Sequence, residues 1–170
     1  MDKDITIRLA APQDVAAVAR IWMEGVLVSS GLSAPSEPDV ITSFQTRICH
    51  PVGQSVLWVA MFGNEIVGWQ GLQDFGITQI SRIAQSSTYI SKDWQGRGIG
   101  QRLLLYAQQQ ARSLGFDVIA GWIKTDNNAS LTLIRSLNWK LVGILPRNCD
   151  NDPELAYYAY AVPNKFETRE

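Results

Sequence analysis

Between residues 85 and 123 the chain carries two strand-like runs separated by a glycine-rich turn and a helical pattern. Residues 85–91 (QSSTYIS) become β-branched and aromatic in their second half, and 117–123 (DVIAGWI) is an almost unbroken apolar run. Between them, DWQGRGIGQRLL sets Gly96, Gly98 and Gly100 within five positions. From Gly98 onward Ile99, Leu103, Leu104, Ala107, Ala111 and Leu114 share one helix face, and Gly115 stands where a glycine commonly ends a helix. Strand, crossover helix and strand form a parallel unit. That unit commits the chain to an α/β sheet with helices against it.

The flanking segments add hairpins, so the sheet is expected to be only partly parallel. Ile5-Thr6-Ile7-Arg8-Leu9 alternates as a half-buried strand does. Pro12 and Asp14 open a helix whose apolar face holds Val15, Val18, Trp22 and Val26, with the acid suited to the positive helix end. Residues 29–38 read as a loop. Val40, Ile41, Phe44 and Ile48 mark a second helix that stops before Pro51. Residues 55–61 and 65–73 form a hairpin about Gly63-Asn64, and 74–81 a loop. A short helix over 127–137 and strands over 139–145 and 155–162 complete the order β-α-α-β-β-β-α-β-α-β-β. No linker or repeat divides the 170 residues, and a single domain over 1–170 is expected.

Composition narrows the function. Apolar residues make up 46% and the net charge is −1, so there is material for a core and no basic surplus for nucleic acid or membrane. The charged N-terminal stretch lacks the apolar core of a signal peptide, and no apolar run reaches the roughly 18 residues of a membrane span. A cytoplasmic protein is the expectation. Cys49 and Cys149 read as unpaired thiols and His50 as a surface or capping residue, which leaves no metal site.

The glycines then need a purpose. The first N–H groups of a helix have no partner within it and carry partial positive charge. Glycines let a phosphate approach that backbone closely, and Arg97 and Arg102 are placed to add charge. The dinucleotide fingerprint G-x-G-x-x-G fails, with Gln101 or Leu103 at its last position, and no Gly-Lys-Ser/Thr occurs. A purely structural turn stays open at this point.

Gln95-Gly96-Arg97-Gly98-Ile99-Gly100 resembles the Q/R-x-x-G-x-G/A signature of the GCN5-related N-acetyltransferases (GNAT superfamily), and the likeness extends over nearly the whole chain. A second block, Asn127-Asn128-Ala129-Ser130 followed by 131–139, is similar to that family's N-x-x-A/S segment. Within the superfamily the chain looks most like the phosphinothricin acetyltransferase and L-amino-acid N-acyltransferase group, through ITIRLAAPQDVAAVARIW, SSTYIS and DNNASLTLIRSLNW with VGILPR. The resemblance implies a mixed α/β GNAT fold and acetyl-CoA as cosubstrate. Its pyrophosphate would meet Gln95, Gly96, Arg97, Gly98, Ile99, Gly100 and Gln101, and its pantetheine arm Ser87, Thr88, Tyr89 and Ile90. Asn127 and Ser130 would contact the same arm. It implies direct attack by the amine of a small molecule, an amino acid or analogue, in a ternary complex, and a homodimer.

Two positions depart from the group. Gln85 stands where relatives carry Glu, and an amide cannot take a proton. Ile134 stands where they carry His or Tyr. Asn138 replaces a glycine, consistent with a left-handed cap. Three routes stay open: a water chain beside Gln85, other groups such as Glu24, Tyr89 or Tyr157, or acyl-CoA binding without transfer. Arg82, just ahead of the 85–91 strand, is a candidate for a substrate carboxylate, with an exposed loop arginine as the alternative. Trp22 and Trp69 are candidates for a pocket wall among mostly core tryptophans.

Overall fold

The computed structural model describes residues 5–30, 35–77, 82–146 and 153–163. Its elements follow the expected order: β1 (Ile5–Leu9), a 3-10 turn (Pro12–Asp14), α1 (Val15–Ser30), α2 (Glu37–Cys49), β2 (Val56–Phe62), β3 (Glu65–Ile77) and β4 (Arg82–Ile90). A second 3-10 turn (Lys92–Trp94), α3 (Ile99–Ala111), β5 (Val118–Lys124), α4 (Asn128–Ser136), β6 (Lys140–Leu145) and β7 (Leu155–Ala161) complete them. The strands order as β1-β2-β3-β4-β5-β7-β6 in one mixed sheet, with β4 and β5 parallel. The fold is the mixed α/β arrangement the sequence called for.

Several boundaries differ from expectation. Asp74 to Ile77 belong to β3 rather than to a loop, while 78–81 lie outside the described residues. Arg82 is the first residue of β4, not a loop residue ahead of it. An ion pair explains both shifts: Arg82 Nη2 reaches Asp74 Oδ2 at 2.8 Å, so polar residues hold the strand ends together. Ser29 and Ser30 extend α1, and Glu37 and Pro38 open α2, where Ser36 accepts the Asp39 N–H. Asp14 does more than answer a helix dipole. It is buried, accepts from both Arg8 nitrogens at 2.6 and 2.9 Å, and takes the Ala11 N–H at 2.7 Å.

The chain divides into two compact units, one of residues 1–73 and 87–107, the other of 74–86 and 108–170. In the first, β1, β2 and β3 pair antiparallel. Val18, Ile21, Val59 and Trp69 form the heart of the layer under α1 and α2. Ala60, Val67, Ile99 and Leu103 form a second cluster that seats the start of α3. Each fully buried Val, Ile or Leu side chain among them contributes about 1.5–3 kcal/mol. The β2–β3 register skips between Ala60 and Met61, which leaves Val67 bulged; its carbonyl accepts the Ser91 N–H at 3.0 Å. The bulge thus fixes where β4 ends and the glycine turn begins.

In the second unit β5 pairs parallel with Ile83–Gln85 and antiparallel with β7, and β7 with β6. The β4–β5 ladder covers Ile83–Gln85, although β4 continues to Ile90. Gly115 at φ 79° and Asn138 at φ 63° take the left-handed caps expected of them. Trp122 departs from the core expectation: it is 43% exposed and packs at a tilt on Tyr157, centroids 4.3 Å apart.

Candidate functional site

The glycine turn is built from backbone up. Gly96 and Gly98 stand at φ 73° and 77°, a region where L side chains are strained. Ile99, buried, pins the first turn of α3, and the Arg102 N–H makes the first bond back to the Gly98 carbonyl at 3.1 Å. Among the described residues the N–H groups of residues 96–101 meet no backbone acceptor. The turn is therefore a row of unpaired donors at a helix start, with positive potential and no Cβ at its two left-handed positions. Gln95 Nε2 donates to the Ile90 carbonyl at 3.2 Å and ties the turn to the end of β4. Arg97 lies over the Trp94 ring at 4.7 Å. Arg102, expected to add charge for a phosphate, instead donates Nη2–H to the Ile5 carbonyl at 2.8 Å. A diphosphate fits this donor set, because its oxygens accept and do not donate.

Along 87–90 the side chains alternate. The Thr88 hydroxyl donates to Oε1 of Gln70, a fully buried amide whose Nε2 donates to the Gly71 carbonyl at 2.9 Å. Sequence reasoning passed over Gln70; its signal was a lone amide inside the apolar run of β3. Tyr89 stacks on Trp69 with centroids 4.9 Å apart. Its neighbour across α1 is Gly25, where a Cβ would stand 2.6 Å from Tyr89 Cδ1. Burial pushes the Tyr89 phenol above the usual tyrosine range, against the opposing pull of a hydrogen bond with Trp22 and of the Arg47 charge. Trp22 also meets Phe44 edge-on at 6.2 Å. Glu24 is not a free base: Oε1 pairs with Arg20 at 2.7 Å, and Oε2 accepts from the Ser91 hydroxyl and the Lys92 N–H, each at 3.4 Å. The first unit thus gathers Trp22, Glu24, Ser87, Thr88, Tyr89, Ile90 and the turn.

The second unit holds the others. Gln85 lies half-buried on β4 opposite Ala120. Arg82 pairs with Asp74, lies over the Phe116 ring at 5.8 Å and donates its backbone N–H to Asp117 at 2.9 Å. The guanidinium proposed for a substrate carboxylate is held by Asp74. Asn127 caps α4, its Oδ1 accepting the Ser130 N–H at 3.1 Å. Ile134 is buried and apolar. His50 caps α2 through its backbone, as expected, and Cys49 is a free thiol; Cys149 lies outside the described residues. Among the described residues no cluster suited to a metal occurs, and no helix is long and apolar enough to cross a membrane.

Comparison with known proteins agrees with this geometry. Residues 53–140 match the family described as acetyltransferase (GNAT) domain. The chain is 30% identical to the L-amino acid N-acyltransferase MnaT of Escherichia coli over 84% of each chain. It is 28% identical, again over 84% of each, to the L-methionine sulfoximine/L-methionine sulfone acetyltransferase of Salmonella typhimurium. The crystal structure of a phosphinothricin acetyltransferase from Sinorhizobium meliloti in complex with acetyl-CoA superposes with a TM-score of 0.78 at 23% identity, covering 94% of this chain and 89% of that one.

Proposed function

The chain belongs to the GNAT acetyltransferase family, and from that premise we propose that it transfers an acetyl group from acetyl-CoA to the primary amine of an amino acid or close analogue. The observation that carries this reading is the row of unpaired N–H groups at residues 96–101, held open by left-handed Gly96 and Gly98. Those donors, with Gln95 bracing the turn, would hold the diphosphate. Ser87, Thr88, Tyr89 and Ile90 would line the pantetheine arm. Asn127 and Ser130 enter on the family resemblance.

Bound acetyl-CoA supplies an acyl group activated as a thioester; the chain supplies position and proton control. The acceptor amine attacks directly within a ternary complex, forming the C–N bond as the C–S bond breaks. Burial raises the Tyr89 pKa, so the phenol keeps its proton, is unfit to act as a base, and would offer the departing thiolate a hydrogen bond. Gln85 cannot accept the ammonium proton, which on this reading leaves to water. Glu24 is placed as a brace between α1 and the end of β4. Trp22 steadies the Tyr89 phenol, and Arg82 steadies the strand ends. We place the whole chain as one acetyltransferase domain, cytoplasmic, acting on a small molecule and not on nucleic acid or membrane. A homodimer belongs to the same reading; β6, last in the strand order, is exposed throughout with Leu141, Val142, Ile144 and Leu145 available to a second copy.

The test is a calorimetric titration with acetyl-CoA and free CoA, followed by thiol release in the presence of amino-acid acceptors. Micromolar binding of both and acceptor-dependent thiol release is the expected outcome. Binding without transfer to any amine would convert the protein into an acyl-CoA sensor. No binding in a folded sample would end the reading.

A further inference from the structure

Arg47, in the last turn of α2, is a half-buried guanidinium. Its Cζ lies 5.1 Å from the Phe44 ring centroid and 5.8 Å from that of Trp69. Phe44 sits three residues earlier on the same helix face, so the helix itself puts the cation over the ring. Among the described residues the Arg47 guanidinium has neither an ion pair nor a hydrogen bond. Gly71 on β3 makes room for it: a Cβ there would stand 3.2 Å from Arg47 Nη2 and 3.5 Å from Trp69 Cζ3. Burial already lowers the pKa of the guanidinium, a cost that a bound anion would relieve.

Two aromatic groups beside it carry donors. Trp69 is fully buried and its Nε1–H meets no acceptor. The Tyr89 ring stacks on Trp69, and its phenol stays protonated. Arg47 also borders a cleft lined by Thr46, His50, Ser55 and Gln73, which gives it a way to solvent. A half-buried cation without an ion-pair partner, beside an indole N–H that meets no acceptor, calls for a ligand that accepts. A carboxylate is such a ligand, planar and matched to the guanidinium fork.

We infer that Arg47 is the anchor for the carboxylate of the acceptor, and so the residue that makes the enzyme prefer amino acids over simple amines. The identity of the anion as acceptor rests on the acetyltransferase reading; the preference for a carboxylate does not. The geometry also explains why Arg82 is not needed for this role, since Asp74 already holds it.

The test compares L-methionine sulfone with its carboxamide on the wild-type chain, Arg47→Met and Arg47→Lys. Binding is read by tryptophan fluorescence without acetyl-CoA, since Trp69 lies under the guanidinium. Wild type should bind the acid at least tenfold more tightly than the amide. Arg47→Met should erase that ratio by weakening the acid alone, and Arg47→Lys should keep part of it. In transfer assays the loss should appear in KM for the acid, with the amide and the acetyl-CoA affinity unchanged. Equal binding of acid and amide by wild type, binding of neither, or an equal loss of both in Arg47→Met overturns the proposal. If Arg47→Met does not fold, the wild-type ratio and the lysine variant still decide. A preference for the acid that persists without any transfer would refute the acetyltransferase reading and leave the anchor standing. Transfer that ignores Arg47 would do the reverse.

Discussion

Replacing Gly98 tests the diphosphate cradle at its most exacting point. Gly98 has φ 77°, and a Cβ built there meets nothing within 4 Å. The penalty for a side chain is therefore conformational, with no steric clash. Placing an L residue in the left-handed region costs about 1–2 kcal/mol. A loop that relieves this strain when free must restore it on binding, and 1.4 kcal/mol is tenfold in affinity. Gly98→Ala should then weaken acetyl-CoA about 5- to 30-fold, and the β-branched Gly98→Val by tenfold or more. Free CoA should weaken by the same factor, because the diphosphate is common to both. Gly63 supplies a matched control: it has φ 56°, open space around it, and a place in the β2–β3 turn. Gly63→Ala should lower the melting temperature comparably and leave the affinity alone. The assay is calorimetric titration of each variant beside a thermal melt. A folded Gly98→Val with wild-type affinity would refute the assignment of this turn to the diphosphate.

Three further outcomes follow from particular contacts. Gly25→Ala adds a good helix former to α1, normally a gain of about 1 kcal/mol, yet its Cβ would press within 2.6 Å of a Tyr89 ring fixed against Trp69, an overpacking cost of about 1–3 kcal/mol; urea melts should show no gain and a net loss of up to about 2 kcal/mol. Asp14 has its pKa lowered chiefly by the hydrogen bond from Arg8, so its stabilisation is full above the ordinary Asp range and is lost as pH falls through the lowered folded value. Asp14→Asn should cost about 1–2 kcal/mol at pH 7, since Arg8 is partly screened, and should flatten the acid limb of the stability profile. Gln85→Glu restores a group able to take the ammonium proton and should raise kcat about 100-fold, with acetyl-CoA affinity unchanged; an unaltered rate would show that proton removal does not limit the reaction.

What was legible in the sequence was what short-range chemistry decides. The crossover from β4 through α3 to β5 was announced by an apolar period, and the left-handed caps at Gly115 and Asn138 by residues suited to them. The ends of β3 and β4 were not legible, because DFGI and RIA look like loop until Arg82 meets Asp74 across them. Nor was the insertion of β7 between β5 and β6, a choice of neighbour that alternation along a strand does not encode. The turn at residues 96–101 was found because its donors belong to one contiguous segment.

The anion anchor was hidden for the opposite reason. Arg47 sits in a helix end rich in polar residues, where one more arginine looks like a solvated cation or a helix-dipole partner. What singles it out is spread over the first unit: Phe44 one turn back, Trp69 and Gly71 two residues apart on β3, and Tyr89 on β4. None of the four is unusual alone. Gly71 is the informative member, since a central strand gains nothing from a glycine unless something must come close to it. Gly25 repeats that logic on α1, where its missing side chain admits the Tyr89 ring. Both glycines open space beside one layer of donors, so Gly71→Ala should weaken the acid and spare its carboxamide, as Arg47→Met does, although it removes no charge.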